Sequence, residues 1–405
     1  MNVRWNRLRF GPALAVAALA LLAACGDGGG VTDPIDPPPA DTSSGRFPRA
    51  VGYLSYYSSR PISEIDGEKL THLIYAFGRV NTASATAGLM DPARDLAKFE
   101  ELRALKQRHP HLKLLVAFGG WEIGTTPILA PVAASPTGRA TFAASAIQVF
   151  LRGYGGLFDG IDIDWEYPRA AEKEHYTAFI AELRKQLNEE SARTGRRYLL
   201  TSATPAASST LTNGYDLPAV HPLLDWFNVM TYDFHTGDPS RTVNFNAPLF
   251  APVGDPTPGF TGNYTVTVYT QRGVPREKVV LGVPFYGRTF VGVPNVNNGL
   301  YQKATGVQVG EWKQDGAISY RLLKLRGFLA GEGFTRHWQN EAKVPFLFNP
   351  TTGVWITYDD EQSVRAKGEF ARQNGLGGVM VWELAQDAAD NSLLNALVAG
   401  LRGTT

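Results

Sequence analysis

The chain has 405 residues, 44% hydrophobic and 19% charged, room for two or three ordinary domains or for one large α/β unit. Its 39 Lys and Arg balance 38 Asp and Glu at a formal net charge of +1, without the basic excess that a phosphate-tracking nucleic-acid binder requires. The 8 Trp, 16 Tyr and 21 Phe suit a packed core or sugar-stacking platforms, and composition does not separate these uses.

Arg4, Arg7 and Arg9 precede an apolar run at 12–24. That run is too short for a bilayer core of about 30 Å, so the N-terminus reads as an export signal. It closes on Leu22-Ala23-Ala24-Cys25, which resembles a bacterial lipobox. The resemblance implies a lipoprotein signal peptide over 1–24, cleavage before Cys25 and thioether lipidation of that residue. The mature protein is then expected to be exported and lipid-anchored. Gly26 is not an Asp-type inner-membrane retention signal, which points to the outer membrane, with release from the cell as the alternative. Cys25 is the only cysteine, so no intramolecular disulfide forms. Residues 25–46 hold almost no large apolar side chain and are expected to be a disordered tether, with the folded unit over 47–402.

In the folded part, apolar runs at 50–56, 72–77, 112–118, 157–164, 198–203, 226–232, 279–285 and 378–382 read as strands. Stretches such as 95–108, 139–152 and 172–193 place apolar residues three and four apart, as helices do. Eight strands separated by helices predict an α/β fold, a closed (β/α)8 barrel. The interval between Arg288 and Trp355, which contains Glu311-Trp312, is too long for a simple crossover. It is expected to hold a small α+β subdomain after the seventh strand, over 289–348.

The most informative segment is Phe158-Asp159-Gly160-Ile161-Asp162-Ile163-Asp164-Trp165-Glu166-Tyr167-Pro168. Alternation along a strand puts Asp162, Asp164 and Glu166 on one face and Ile161, Ile163 and Trp165 on the other. In a barrel the apolar face packs on the helices and the carboxylates point inward, with Glu166 at the C-terminal end where barrel active sites lie. Asp159 is out of phase and is assigned no direct catalytic role. Carboxylates crowded this way do not all ionise near neutral pH, so one holds a proton, as a general acid must. A solvated strand would not back onto Ile, Ile and Trp. A calcium loop needs Gly at its sixth position, which from Asp162 is Tyr167. A Mg²⁺ site on these carboxylates is the alternative reading.

Asp159-x-x-Asp162-x-Asp164-x-Glu166 resembles the signature of family 18 glycoside hydrolases, the chitinase-like barrels. Further blocks resemble that family in order: Ala117-Phe118-Gly119-Gly120-Trp121, Met230-Thr231-Tyr232-Asp233, Pro284-Phe285-Tyr286-Gly287-Arg288 and Gly378-Val379-Met380-Val381-Trp382-Glu383. The segment after Arg288 resembles the insertion domain of the deep-cleft branch, and 355–360 the return to the barrel. The resemblance implies a proton donor at Glu166, an acetamido-holding carboxylate at Asp164, its buried partner at Asp162 and an acetamido-binding hydroxyl at Tyr232. It implies subsite residues at Gly119, Gly120, Trp121, Tyr167, Met230, Asp233 and Arg288, and a ring beneath the sugar at Trp382. Met230 and Trp382, taken singly, read as core, and their places at strand C-termini in the matched order reverse that reading. Ala117 stands where many members have Ser, and Glu122 where some have Asn.

The expected activity is chitinase: hydrolysis of β-1,4-linked N-acetylglucosamine polymers with retention, the substrate's acetamido group acting as nucleophile. The alternatives are an endo-β-N-acetylglucosaminidase acting on N-glycans or peptidoglycan, and a non-catalytic chitin-binding barrel. Partners are then chitin or chito-oligosaccharides, plus a membrane through Cys25, with no nucleic acid and a monomeric state. No His group has zinc-ligand spacing, so no metal and no cofactor is expected. Residues 153–156 lack the full dinucleotide fingerprint and read as a turn.

Overall fold

The computed structural model describes residues 48–121, 128–236, 242–307, 316–329 and 331–404. The expected signal peptide, Cys25 and the expected tether lie outside the described residues, as do Glu122 and Glu311-Trp312.

Eight parallel strands close on themselves: β1 (Arg49–Ser55), β2 (His72–Asn81), β4 (Lys113–Gly119), β5 (Gly160–Asp164), β6 (Leu199–Pro205), β7 (Trp226–Met230), β8 (Val279–Pro284) and β14 (Gly378–Trp382). The ring is sealed where β1 pairs with β14 on one side, Val51 opposite Met380, and with β2 on the other, Tyr53 opposite Ile74. β3 (Thr86–Gly88) folds back antiparallel on the end of β2. This is the expected (β/α)8 barrel.

Alternation sorts each strand into two layers. Ile161, Ile163 and Trp165 of the β5 segment are buried in the layer between sheet and helices, together with Phe179, Ile180 and Leu183 of the helix Lys173–Thr194. Val51, Tyr53, Ile74, Leu115, Trp226 and Met380 fill the barrel interior. Helix starts are set locally: Asp91 accepts from Arg94 N–H and Pro92 occupies the first turn of Pro92–Arg108. The stretch read as a helix over 139–152 is α-helical over Pro136–Ala146 and widens into π turns over Ile147–Arg152.

Between β8 and β14 lies a second, antiparallel sheet of β9 (Tyr286–Phe290), β10 (Ala317–Ser319), β11 (Thr335–Gln339), β12 (Val344–Asn349) and β13 (Val354–Thr357), in the order β10-β9-β13-β12-β11. It carries the short helix Tyr320–Leu325. Its strands reach beyond the expected interval 289–348 at both ends. The cause is that β8 hands over to β9 with only Phe285 between them, so one continuous apolar stretch serves two sheets. Trp355, expected in the return to the barrel, is instead a buried member of β13. It packs among Phe290, Phe346 and Phe348, and Val243 and Phe245 from the loop after β7 complete that small core.

Candidate active site

β5 pairs with β4 and β6 so that Asp162 lies opposite Ala117 and Thr201, and Asp164 opposite Gly119 and Ala203. Asp162 is fully buried inside the barrel. One of its oxygens accepts from Tyr53 OH at 2.7 Å. The other accepts from Thr201 Oγ1 at 2.5 Å and from Asn228 Nδ2 at 3.2 Å. Asn228 is itself fixed by Trp226 Nε1, 2.9 Å away. Three donors from β1, β6 and β7 thus hold one carboxyl. Burial still raises its pKa to about 6, against the downward pull of the hydrogen bonds from Thr201, Tyr53 and Asn228.

One layer up, Asp164 is 3% exposed, and its Oδ1 is buried without a hydrogen-bond partner among the described residues. Burial, then Glu166 and then Asp162, lift its pKa well above the ordinary value. Glu166 follows the strand and is half-buried. Burial raises its pKa to about 7, Tyr167 lowers it by hydrogen bonding, and the charge of Asp233 raises it. The three groups form an acid column, saturated with donors at its base and open at its top.

The neighbouring strand end is shaped to allow this. Gly119 and Gly120 have φ of 122° and 98°, and a Cβ on Gly119 would lie 1.9 Å from the Asp164 carbonyl oxygen. Gly120 N–H donates to that same oxygen at 2.9 Å. A side chain at 119 would therefore push β4 off β5 at the column.

Around the column, Trp382 at the end of β14 packs on Tyr53 at 5.5 Å and stacks on Phe77 at 5.9 Å between ring centroids. Glu383 fixes the end of that strand by accepting from Ser55 N–H at 2.7 Å and from its Oγ at 3.0 Å. Trp121 is 67% exposed, an unusual position for Trp in a folded chain, and its ring faces Tyr167 at 6.5 Å. Met230 and Tyr232 are nearly buried in the barrel interior, and Tyr232 OH reaches Met380 Sδ at 3.9 Å. Burial keeps the Tyr232 phenol protonated, hence a donor. Asp233 adopts a left-handed φ of 57° and accepts from Arg288 Nε at 2.9 Å and Nη2 at 2.5 Å. The guanidinium of Arg288 also lies 5.2 Å from the centre of the Tyr286 ring.

Glu166, Asp164, Asp162, Tyr232, Gly119, Gly120, Trp121, Tyr167, Met230, Asp233, Arg288 and Trp382 therefore all sit at or just inside the C-terminal end of the barrel. Sequence reading missed Tyr53, Phe77, Thr201, Asn228 and Tyr286. Tyr53, Phe77, Thr201 and Asn228 lie in apolar strand runs where a polar or aromatic residue looks like filling, and only barrel closure brings them to the column; Tyr286 opens β9 of the antiparallel sheet. Asp159 lies at the opposite end, where it accepts from Lys106 Nζ at 2.5 Å, Leu114 N–H at 2.9 Å and Arg196 Nη2 at 3.1 Å. Among the described residues no group of three or more His, Cys, Asp or Glu is arranged to hold a metal ion.

A closed barrel whose mouth holds an acid column, a half-buried carboxyl poised near neutrality and a border of aromatic rings is that of a glycoside hydrolase. Residues 49–387 match the family model of glycosyl hydrolases family 18, and the chain belongs to that family. It is 33% identical to Chitinase A1 of Niallia circulans over 90% of this chain and 60% of that one, so it spans less than two thirds of that relative's length. It is 36% identical to Chitotriosidase-1 of Mus musculus over 82% of this chain and 70% of the relative. The structure of Chitinase ChiA74 from Bacillus thuringiensis superposes with a TM-score of 0.79 at 32% identity, covering 88% of this chain and 70% of that one.

Proposed function

We propose that this glycoside hydrolase is a chitinase that cleaves β-1,4-linked N-acetylglucosamine polymers with retention, using the substrate's acetamido group as nucleophile. One observation carries the reading. Residues 49–387 match glycosyl hydrolases family 18, and substrate-assisted cleavage is the chemistry of that family. The placement of Asp164, buried directly below Glu166, and the ion pair of Asp233 with Arg288 support the reading.

In the first step the acetamido oxygen bonds to the anomeric carbon as the glycosidic C–O bond breaks, and Glu166 gives its proton to the leaving oxygen. Asp164 and Tyr232 orient the acetamido group and stabilise the positive charge of the oxazolinium ring. In the second step Glu166, now a carboxylate, takes a proton from water as the water oxygen bonds to the anomeric carbon and reopens the ring. Trp382 supplies the floor for that sugar, and Trp121 a stacking face further along the groove. The names of the relatives, chitinases and a chitotriosidase, support chitin as the polymer.

On a defined N-acetylglucosamine hexamer the expected products are shorter oligomers whose new reducing ends are β-anomers at first formation, read by chromatography on a cold column. Initial α-anomers would refute retention. No cleavage of the hexamer alongside release of N-glycans would replace chitin as the substrate.

The pH profile follows from Glu166. It must be protonated to act as the acid, so kcat/KM is expected to fall above about pH 7 as that proton is lost. Asp233→Asn removes a charge that holds the pKa up, so the alkaline limb should move to lower pH. A limb that stays in place would detach Asp233 from the titration.

The chain is further proposed to be exported and held at a bacterial membrane by lipid on Cys25, on the strength of the Leu22-Ala23-Ala24-Cys25 motif.

A further inference from the structure

The near balance of charge hides a division between the two ends of the barrel. The mouth holds Asp162, Asp164, Glu166, Asp233 and Glu383. At the other end, where all eight parallel strands begin, buried carboxylates are each shared by two cations. Asp159 holds Lys106 at 2.5 Å and Arg196 at 3.1 Å. Glu190 holds Arg152 at 2.8 Å and Arg193 at 2.6 Å. Asp225 holds Arg184 at 3.3 Å and also Arg197. Each cluster sets two cations against one carboxylate.

Further cations lie on the same face. Helices run back antiparallel to the strands, so their C-terminal residues arrive there, among them Arg108, Arg372 and Arg402. Arg276 stands immediately before β8. All four are exposed, and none has a carboxylate partner among the described residues. Lys113 opens β4, close enough to Lys106 that the two charges repel. Among the described residues the exposed carboxylates at this end are Glu68, Glu189 and Glu277, with Asp66 half-buried beside Glu68, fewer than the cations.

β1 begins at this face, with Pro48 the first described residue, so the N-terminal segment departs from here. Cys25 lies 23 residues upstream of Pro48. On the lipid-anchor reading, the bilayer-bound residue belongs to the segment that joins the fold at this face.

We infer that the N-terminal face of the barrel is a docking surface for an anionic phospholipid bilayer, which turns the catalytic mouth outward. The inference rests on the lipid-anchor reading for its proximity and on the charge distribution for its chemistry, and the two are separable. The full chain carrying Cys25→Ser, without a lipid, is compared with the same chain also carrying Arg108→Gln, Arg276→Gln and Arg372→Gln. Both are sedimented with vesicles of phosphatidylcholine, with and without phosphatidylglycerol. The leader is common to the two chains, so their difference reads the face. The Arg-containing chain should bind the phosphatidylglycerol vesicles more tightly by at least about tenfold. That margin should shrink as salt rises and screening shortens toward a few ångströms. Cleavage of a soluble oligomer should be the same in both chains, which shows that the variant is folded. Equal binding of the two chains to phosphatidylglycerol vesicles overturns the inference, including the case in which the four Asp of residues 26–46, and not lipid, cover the face. Detergent partitioning of wild type against Cys25→Ser tests the anchor alone, and its failure leaves the vesicle comparison intact.

Discussion

Glu166→Gln is expected to lower kcat on a chitin oligomer by on the order of 10²-fold or more while leaving oligomer affinity nearly unchanged. The amide fills the volume of the carboxyl and keeps an N–H donor, but it has no proton to release to a leaving oxygen. Its neighbours also survive the change: Asp162 keeps its three donors, and Trp382 keeps its packing on Tyr53 and Phe77. Binding energy from remote subsites is then intact and only the chemical step is lost. The check is paired: single-turnover cleavage of a hexamer and calorimetric titration with the same hexamer. Near-normal turnover would remove Glu166 from the role of acid. Lost binding together with lost turnover would mean the substitution had disturbed the groove.

The second large effect is on bond choice in partially deacetylated chitosan. If the acetamido oxygen is the nucleophile, the sugar at the cleavage site must carry one, because a protonated amine cannot close an oxazolinium ring. New reducing ends should be N-acetylglucosamine almost exclusively. Asp164→Asn should lower turnover by on the order of 10²-fold, the loss typical when a group aimed at developing charge is removed. It should also weaken a thiazoline mimic of the ring, whereas affinity for the free sugar should hardly change. Frequent glucosamine at the new reducing ends would mean that the protein supplies its own nucleophile.

The order of the fold and the acid face of β5 were legible because both depend on local spacing. The alternation Ile161, Asp162, Ile163, Asp164 assigns faces with no knowledge of partners. What satisfies Asp162 was not legible. Tyr53, Thr201 and Asn228 stand 109, 39 and 66 positions away from it and meet only when the ring closes. Read singly, each belongs to a run that any buried strand would show. The insertion was visible as excess length, but its edges were not. Tyr286–Phe290 continues the seventh barrel strand without a turn residue, so periodicity registers no boundary there. Ala117 marks a second limit. The sequence shows a missing hydroxyl at that position, and the structure shows the column already supplied by Thr201 from the strand on the other side.

The acid column also bears on how the protein withstands acid. Asp162 at about 6 and Glu166 at about 7 bind their protons more tightly in the folded chain than unfolded, where 3.8 and 4.5 apply, and Asp164 is raised as well. Groups shifted this way add stability that is fully present below about pH 4 and is withdrawn as pH rises through about 6 and 7. Glu190 at the far end of the barrel works the other way. Arg193 and Arg152 depress it to about 2, so its contribution holds above 4.5 and is lost only as pH falls through about 2. In mild acid, near pH 4 to 5, both contributions are largely in force. These two sets of carboxyls leave the folded chain suited to acidified surroundings.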